Sequence, residues 1–362
     1  MQLIKLRKAS HKDYMKKLSI KKLQRKQEDS TPSRITNETV AEHREQILAG
    51  GRKFKYPIQY TRHKLVINAL LVIVGTTVLL AALGWWQLYI MQNSSTFMYR
   101  VTRIVPVPVA VVNGEQVLFG DYLVQYRGSE YYLNKYDEIK LQSADGQRQL
   151  AYIKRESLNK AIAYAYAKQT ARQQGIAVSS KDIDEVIDQQ RNTANGRISQ
   201  ETYDASSQMV YGWSPSDYRL AIEQGIMRTR VAFAVDGDAK KQAEIATPLV
   251  ISTGGDFAKV AERLSGLSGG KAVVGQTGLI SNTGVSGGLQ VAAVAKLDKG
   301  QVSGLLKSNT DDGYYYVKVL EKSDTQVSFS YLHIPLTQFT KDLEALKKSG
   351  KITEYISIED KK

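Results

Sequence analysis

The sequence predicts an α+β protein with a single N-terminal transmembrane helix, a mainly helical domain and a smaller mixed α+β part. Three observations predict it. An uncharged apolar run extends from Leu65 to Tyr89, residues from Asp121 to about 235 recur at helical spacing between capping signals, and a glycine-rich stretch leads into two strand patterns near the C-terminus.

The apolar run is LVINALLVIVGTTVLLAALGWWQLY. At about 1.5 Å of rise per residue its first 22 positions span roughly 33 Å, against a hydrocarbon core of about 30 Å. Trp85, Trp86 and Tyr89 gather at one end, as amphipathic rings do at a lipid–water boundary, and Arg62, His63 and Lys64 crowd the other. The competing reading of such a run is the buried helix of a large soluble domain. A cleaved signal peptide fits less well, because 64 residues precede this run and its length exceeds an ordinary signal core.

Charge divides at the same place. Residues 1–64 hold 17 Lys/Arg against 6 Asp/Glu, a balance of +11 within a whole-chain net charge of +14. Basic residues beside a span stay on the cytoplasmic side, so the tail is expected inside the cell membrane and the C-terminal domains outside. Two readings of the tail stand together: a cationic arm resting on anionic lipid, or a binder of RNA, the ribosome or DNA. Charge blocks carry no sequence-specific signal, so no specific nucleic acid is expected. Met15 opens a second basic run, MKKLSIKKLQRK, and is an alternative start. Residues 27–60 read as linker with one short helix from Glu38 to Leu48.

The chain has no cysteine, which excludes disulfides, thiol nucleophiles, thiolate metal sites and a lipid-bearing cysteine. Of four histidines only His333 lies beyond the apolar run. A multi-histidine zinc site cannot be assembled there, and a Ser-His-Asp arrangement would have to use that residue. No metal and no cofactor are expected. The glycines from Gly266 onward do not form a phosphate cradle, because the spacing is off by one and Ala272 stands where a hydroxyl is needed.

After a polar stalk, Val109, Val111 and Val112 form one short strand. Asn113-Gly114 is a tight-turn pair, and Val117 and Phe119 begin a second strand. Leu150, Ile153, Leu158, Ala161, Ile162 and Ala165 then mark a helix that Gly175 ends. Ser179 with Asp182, and Ser214-Pro215 with Asp217, announce further helix starts, with another after Ser199. A helix carries Phe257, Val260 and Leu264. Eight glycines follow among residues 265–288, then a helix near Leu289–Lys296. GYYYVKVLEK and VSFSYLHIPL read as strands, and a last helix carries Phe339, Leu343 and Leu346.

In this order the pieces resemble the SurA/PrsA/PpiD group of exported folding factors. VAVVNGEQVLFGDY is similar to the opening hairpin of the SurA-type N-terminal domain. ESLNKAIAYAYAKQTARQQGIAVSSKDIDEVIDQQ is similar to its helix pair, and GWSPSDYRLAIEQGIMRTRV to its closing helix. GGDFAKVAERLS, Gly278-Leu279-Ile280 and AKLDKGQVSGLLKSNTDDGYYYVKV resemble a parvulin-type peptidyl-prolyl isomerase domain. FTKDLEALKKSGKITEYI resembles a helix that returns to the first domain, so the parvulin-like unit is expected as an insertion.

The resemblance implies a basic tail at 1–64, a transmembrane helix at 65–90 and a stalk at 91–104. It further implies a chaperone domain at 105–235, a parvulin-like domain at 236–324 and a returning strand and helix at 325–362. It also implies a degenerate catalytic site. Active parvulins carry a histidine in the first strand and another in the last; here the patterns read Arg230-Val231-Ala232-Phe233 and Gly313-Tyr314-Tyr315-Tyr316. The parvulin-like pocket is expected at Val231, Phe233, Leu279 and Tyr315, with Tyr315 the candidate catalytic residue. His333 is read as a strand-face residue beside Tyr331. Prolyl isomerisation needs no nucleophile: its barrier of about 18–20 kcal/mol falls when an apolar pocket grips the ring and the amide is desolvated.

The expected function is a membrane-anchored extracytoplasmic chaperone for unfolded or nascent exported polypeptides, near the translocon or ribosome. The alternatives are an active parvulin-type isomerase and a non-enzymatic scaffold of the cell envelope.

Overall fold

A computed structural model describes residues 36–55, 57–136, 141–193 and 195–358. The basic arm before residue 36 and the alternative start at Met15 lie outside the described residues. The chain divides into two units, 1–81 and 82–362.

In the first unit, α1 (Asn37–Lys55) runs further than the short helix expected, because Gly50 and Gly51 weaken it without breaking it. Pro57 stands at the first position of α2 (Pro57–Trp85), where its fixed φ and missing N–H are harmless. Residues His63–Ile90 are long and apolar enough to cross a membrane, and none of the most apolar window is buried. Leu65, Leu71, Val72 and Leu79 are exposed, so this helix is apolar on every face.

In the second unit the helix passes into a π-helical turn, Trp86–Ile90. Tyr89 corrects the expectation that all three aromatics lie at a lipid boundary. Its hydroxyl donates to the Pro108 carbonyl, its ring meets Phe119 edge-on at 5.2 Å, and neighbouring Leu88 is 3% exposed in the same core. The supposed stalk is also corrected. Ser95 caps α3 (Thr96–Ile104), which buries Met98, Tyr99 and Thr102, because its apolar positions were too few to reveal a helix yet all fall on one face.

The hairpin pairs β1 (Pro108–Val112) with β2 (Glu115–Leu118) across Asn113 (φ 48°) and Gly114 (φ 84°), the left-handed pair that a primed turn demands. Next come α4 (Phe119–Tyr136) and α5 (Ala144–Gln174), the latter closed by Gly175 at φ 69°. A capping box starts α6 (Ser180–Gln190), and a two-residue ribbon, β3 (Asn192–Thr193) with β4 (Gly196–Arg197), leads to α7 (Gln200–Tyr211). The second capping box opens α8 (Pro215–Val235). Val109, Val112, Val117, Phe119, Leu123 and Leu158 form the main core of this part.

Two helices then precede the larger sheet: α9 (Gly237–Ser252) and α10 (Phe257–Leu264). The glycine-rich segment forms short strands, β5 (Val273–Gln276), β6 (Ile280–Ser281), β7 (Val285–Ser286) and β8 (Leu289–Gln290), and one turn of helix, α11 (Val291–Val294). After β9 (Leu306–Lys307) come the long partners β10 (Gly313–Lys322) and β11 (Gln326–Pro335). The sheet order is β5-β11-β10-β9, with β6 also on β11. Because side chains alternate along a strand, Tyr314, Tyr316, Leu332 and Ile334 pack under α9 and α10. Tyr315, Val317, Val319 and Phe329 pack on the other face with Leu289, Val291 and Val294.

The chain then returns. The last helix, α12 (Gln338–Lys348), places Phe339 against Ala167, Ala171, Val231 and Ala232. Beyond it, β12 (Ile352–Glu354) pairs antiparallel with β1, making a three-stranded sheet in which Ala110 faces Glu354. Arg155 on α5 contacts both Glu354 carboxylate oxygens, at 2.9 and 2.7 Å.

One buried carboxylate holds both crossings between the helical part and the larger sheet. Asp236, 1% exposed, accepts the Ala239 N–H at the start of α9 (2.9 Å) and the Thr337 and Gln338 N–H groups at the start of α12 (2.6 and 3.0 Å). Asp236→Ala strands three buried donors at two helix starts, and is expected to lower stability by about 2–4 kcal/mol while Asp236→Asn loses less. Urea midpoints of the two variants check this. A fragment beginning at Gln92 discards Leu88 and Tyr89, and should be less stable by about 3–5 kcal/mol than one beginning at Ala82; equal midpoints would show that the π-helical turn does not belong to the fold.

Candidate functional site: an aromatic groove among the helices

Faces of α4, α5 and α8 enclose a groove of about 770 Å³, completed by Tyr211 and Trp213. On α8 its contributors Tyr218, Ala221, Ile222, Gly225 and Arg228 recur at three- and four-residue steps, so a single face turns inward. Six of the lining side chains are aromatic: Tyr132, Tyr152, Tyr164, Tyr211, Trp213 and Tyr218. Tyr152 is 63% exposed and Tyr132 45%, so much ring surface is open to a ligand.

The anchoring ring is Trp213. Its indole N–H donates to the Val124 carbonyl (2.9 Å) and its ring stacks on Tyr211 at 4.7 Å. Gly128 makes this approach feasible, since a Cβ there would stand 2.6 Å from the indole. Beneath the rings lies a polar chain: Gln125 donates to Gln224 (2.9 Å), and Gln224 donates to the Asp121 carboxylate (3.0 Å). Burial raises the Asp121 pKa above the ordinary value, opposed by Lys168 and Arg103.

No lining residue is acidic, while Lys160 and Arg228 are cationic. Arg228 approaches Asp311 at 3.5 Å, and its buried Nε has no hydrogen-bond partner. The groove therefore offers broad π-faces, amides and positive charge. That chemistry suits extended chain segments and contains no nucleophile–base pair. Among the described residues, no group of histidine, aspartate and glutamate side chains could hold a metal ion.

The residues expected to form a parvulin-like pocket do not line one cavity. Val231 and Phe233 lie in α8, not in a strand, because the helix begun by Ser214-Pro215-Asp217 meets no breaker until Asp236-Gly237. Val231 is fully buried against α5 and Phe339, whereas Phe233 meets Tyr314 edge-on at 5.0 Å. Leu279 is 51% exposed, and Tyr315 is buried.

His333, in contrast, stands directly across from Tyr315 in the β10–β11 register. The two rings stack at 4.4 Å and 15°. The His333 Nε2 lies 3.2 Å from the Asp312 carbonyl and 3.4 Å from its carboxylate, to which the Tyr315 hydroxyl also donates. Burial and the Asp312 carboxylate push the Tyr315 pKa up. The expectation of a histidine making ordinary hydrogen bonds beside Tyr331 therefore missed its main neighbour.

Residues 58–232 match the family model described as the SurA-like N-terminal domain. The chain thus carries a SurA-like N-terminal domain, and with it membership of the SurA/PrsA/PpiD-type folding factors. The matched stretch includes the apolar helix and every residue lining the groove. This family implies an extracytoplasmic location and binding of unfolded exported polypeptides. No curated protein matches the chain.

The groove aromatics were not singled out from the sequence, although 21 tyrosines against 7 phenylalanines hinted at rings kept partly wet. A titration probes the floor. Raising the folded pKa of Asp121 gives a contribution that is favourable below the ordinary aspartate range and is lost as pH rises through the folded value. Asp121→Asn should thus be more stable than wild type at neutral pH, with the difference vanishing below about pH 4; thermal melts across that range read the sign.

Proposed function

We propose that the protein is a membrane-anchored chaperone whose aromatic groove holds extended segments of unfolded polypeptides as they emerge on the extracytoplasmic side. The observation that carries this reading is the groove itself, with six aromatic rings, no acidic lining residue and a place within the SurA-like domain. Ring faces contact most side chains without selecting one, so affinity for any single sequence is low and the range of clients wide. The helix at 63–90 serves as the anchor, and the basic flank directs the tail inward beside anionic lipid. Tethering beside the exit site raises the local concentration of the groove for chains leaving the translocon.

The test is photo-crosslinking of the full-length protein in nanodiscs, with a benzophenone side chain replacing Tyr152, to a reduced and unfolded model protein. Crosslinks should form at Tyr152 and not at exposed Lys259, and should fall several-fold with Tyr132→Ala plus Tyr218→Ala. Equal labelling at both positions would overturn the groove reading. Crosslinking in cells to one dominant protein, in place of many exported chains, would favour the scaffold.

A second reading, a parvulin-like peptidyl-prolyl isomerase, rests on one observation: Tyr315, in the last-strand pattern, stacks on His333 beside the Asp312 carboxylate. In that reading the pair shapes the floor of a proline pocket. A proline-containing tetrapeptide assay on the full chain should then show acceleration that Tyr315→Phe and His333→Ala each reduce. A rate equal to buffer removes the enzyme.

A further inference from the structure

Helix α3 carries apolar side chains that nothing in the protein covers. Phe97 is 73% exposed and Ile104 84%, with Val105 following at 49%. Positions 97, 100 and 104 share one face, so Arg100 stands between Phe97 and Ile104, and Arg103 borders it. Met98, Tyr99 and Thr102 fasten the opposite face to the helical core, leaving the outer face committed to an outside partner.

Chain length restricts what that partner can be. The apolar helical segment ends at Ile90 and α3 begins at Thr96, so only five residues intervene. Fully extended they reach at most about 18 Å. If the segment spans a bilayer, α3 therefore starts within or beside the headgroup layer. The side chains match that layer. Arg100 and Arg103 make no ion pair among the described residues, and both line a cavity of about 540 Å³ with Arg127 and Thr96. Arg127 is positioned by donating to Thr96 Oγ1 at 2.9 Å and to the Ser94 carbonyl. The carboxylate in that cavity, Asp217, is already engaged by the Tyr99 hydroxyl and the Ser214 cap.

We infer that α3 is an interfacial helix that docks onto an anionic phospholipid surface, with Phe97 and Ile104 entering the acyl boundary and Arg100, Arg103 and Arg127 holding lipid phosphates. This rests on the membrane-anchor reading above. The contact fixes the chaperone part against the membrane and leaves the groove on α4, α5 and α8, built from different residues, free to take clients.

The lack of native cysteine makes a direct test available. Full-length protein carrying a single environment-sensitive fluorophore at Val72→Cys, Phe97→Cys, Ile104→Cys or Lys259→Cys is reconstituted into vesicles of phosphatidylcholine, with and without phosphatidylglycerol. Lipids spin-labelled near the top of the acyl chain serve as quenchers. Positions 97 and 104 should be quenched and blue-shifted in the anionic vesicles, and position 259 should not. Arg100→Glu with Arg103→Glu should weaken docking by about five-fold or more per arginine at the anionic surface. Quenching at 72 with none at 97 or 104 overturns the interfacial helix and leaves the anchor standing, whereas no quenching at 72 overturns the anchor. Quenching at 97 and 104 that ignores both phosphatidylglycerol and the arginine reversals overturns the phosphate contact. Crosslinks between copies through position 104, in place of lipid quenching, would assign the face to a second copy of the chain and overturn the lipid assignment.

Discussion

The buried Asp236 carboxylate is the joint on which the architecture turns. A sheet-containing segment of about 100 residues leaves the helical part at the end of α8 and comes back at the start of α12, and the same side chain accepts backbone donors at both places. A carboxylate that is 1% exposed would be costly alone; three N–H groups and two helix N-termini compensate it. The two crossings are thereby held together, and β12 is delivered to β1 in the register that completes the three-stranded sheet.

That closure also explains why the groove is built as it is. Its walls are α4, α5 and α8, and two of these are braced from behind by the C-terminal segment. Phe339 packs where α5 meets α8, and Arg155 ties α5 to Glu354. Helices pinned on their outer faces can keep aromatic side chains apart across a gap that would otherwise collapse to bury them. At the other end, Leu88 and Tyr89 enter the same core, so the last turn of the apolar segment belongs to the fold as much as to the anchor.

Much of this was legible in the linear chain. Asn113-Gly114, Ser179 with Asp182 and Ser214-Pro215-Asp217 act within three or four residues, and the structure places a turn and two capping boxes there. The alternation along GYYYVKVLEK and VSFSYLHIPL correctly marked two-sided strands. The errors arose where an apolar run has no period of its own. Arg230-Val231-Ala232-Phe233 suited a strand by composition, but it continues a helix already nucleated fifteen residues earlier. Residues 91–104 lacked enough apolar positions to show that three of them are buried.

The sequence by itself determined the apolar segment and its basic flank, the exclusion of thiol chemistry, the helix starts and the resemblance to SurA-type folding factors, because each depends on composition or on neighbours a few residues apart. Only the tertiary structure decided which aromatics line the groove, that His333 stacks on Tyr315, that Asp236 serves two distant helix starts and that α3 turns Phe97 and Ile104 outward. These are meetings between positions up to about a hundred residues apart, set by packing and strand register, and no local pattern records them.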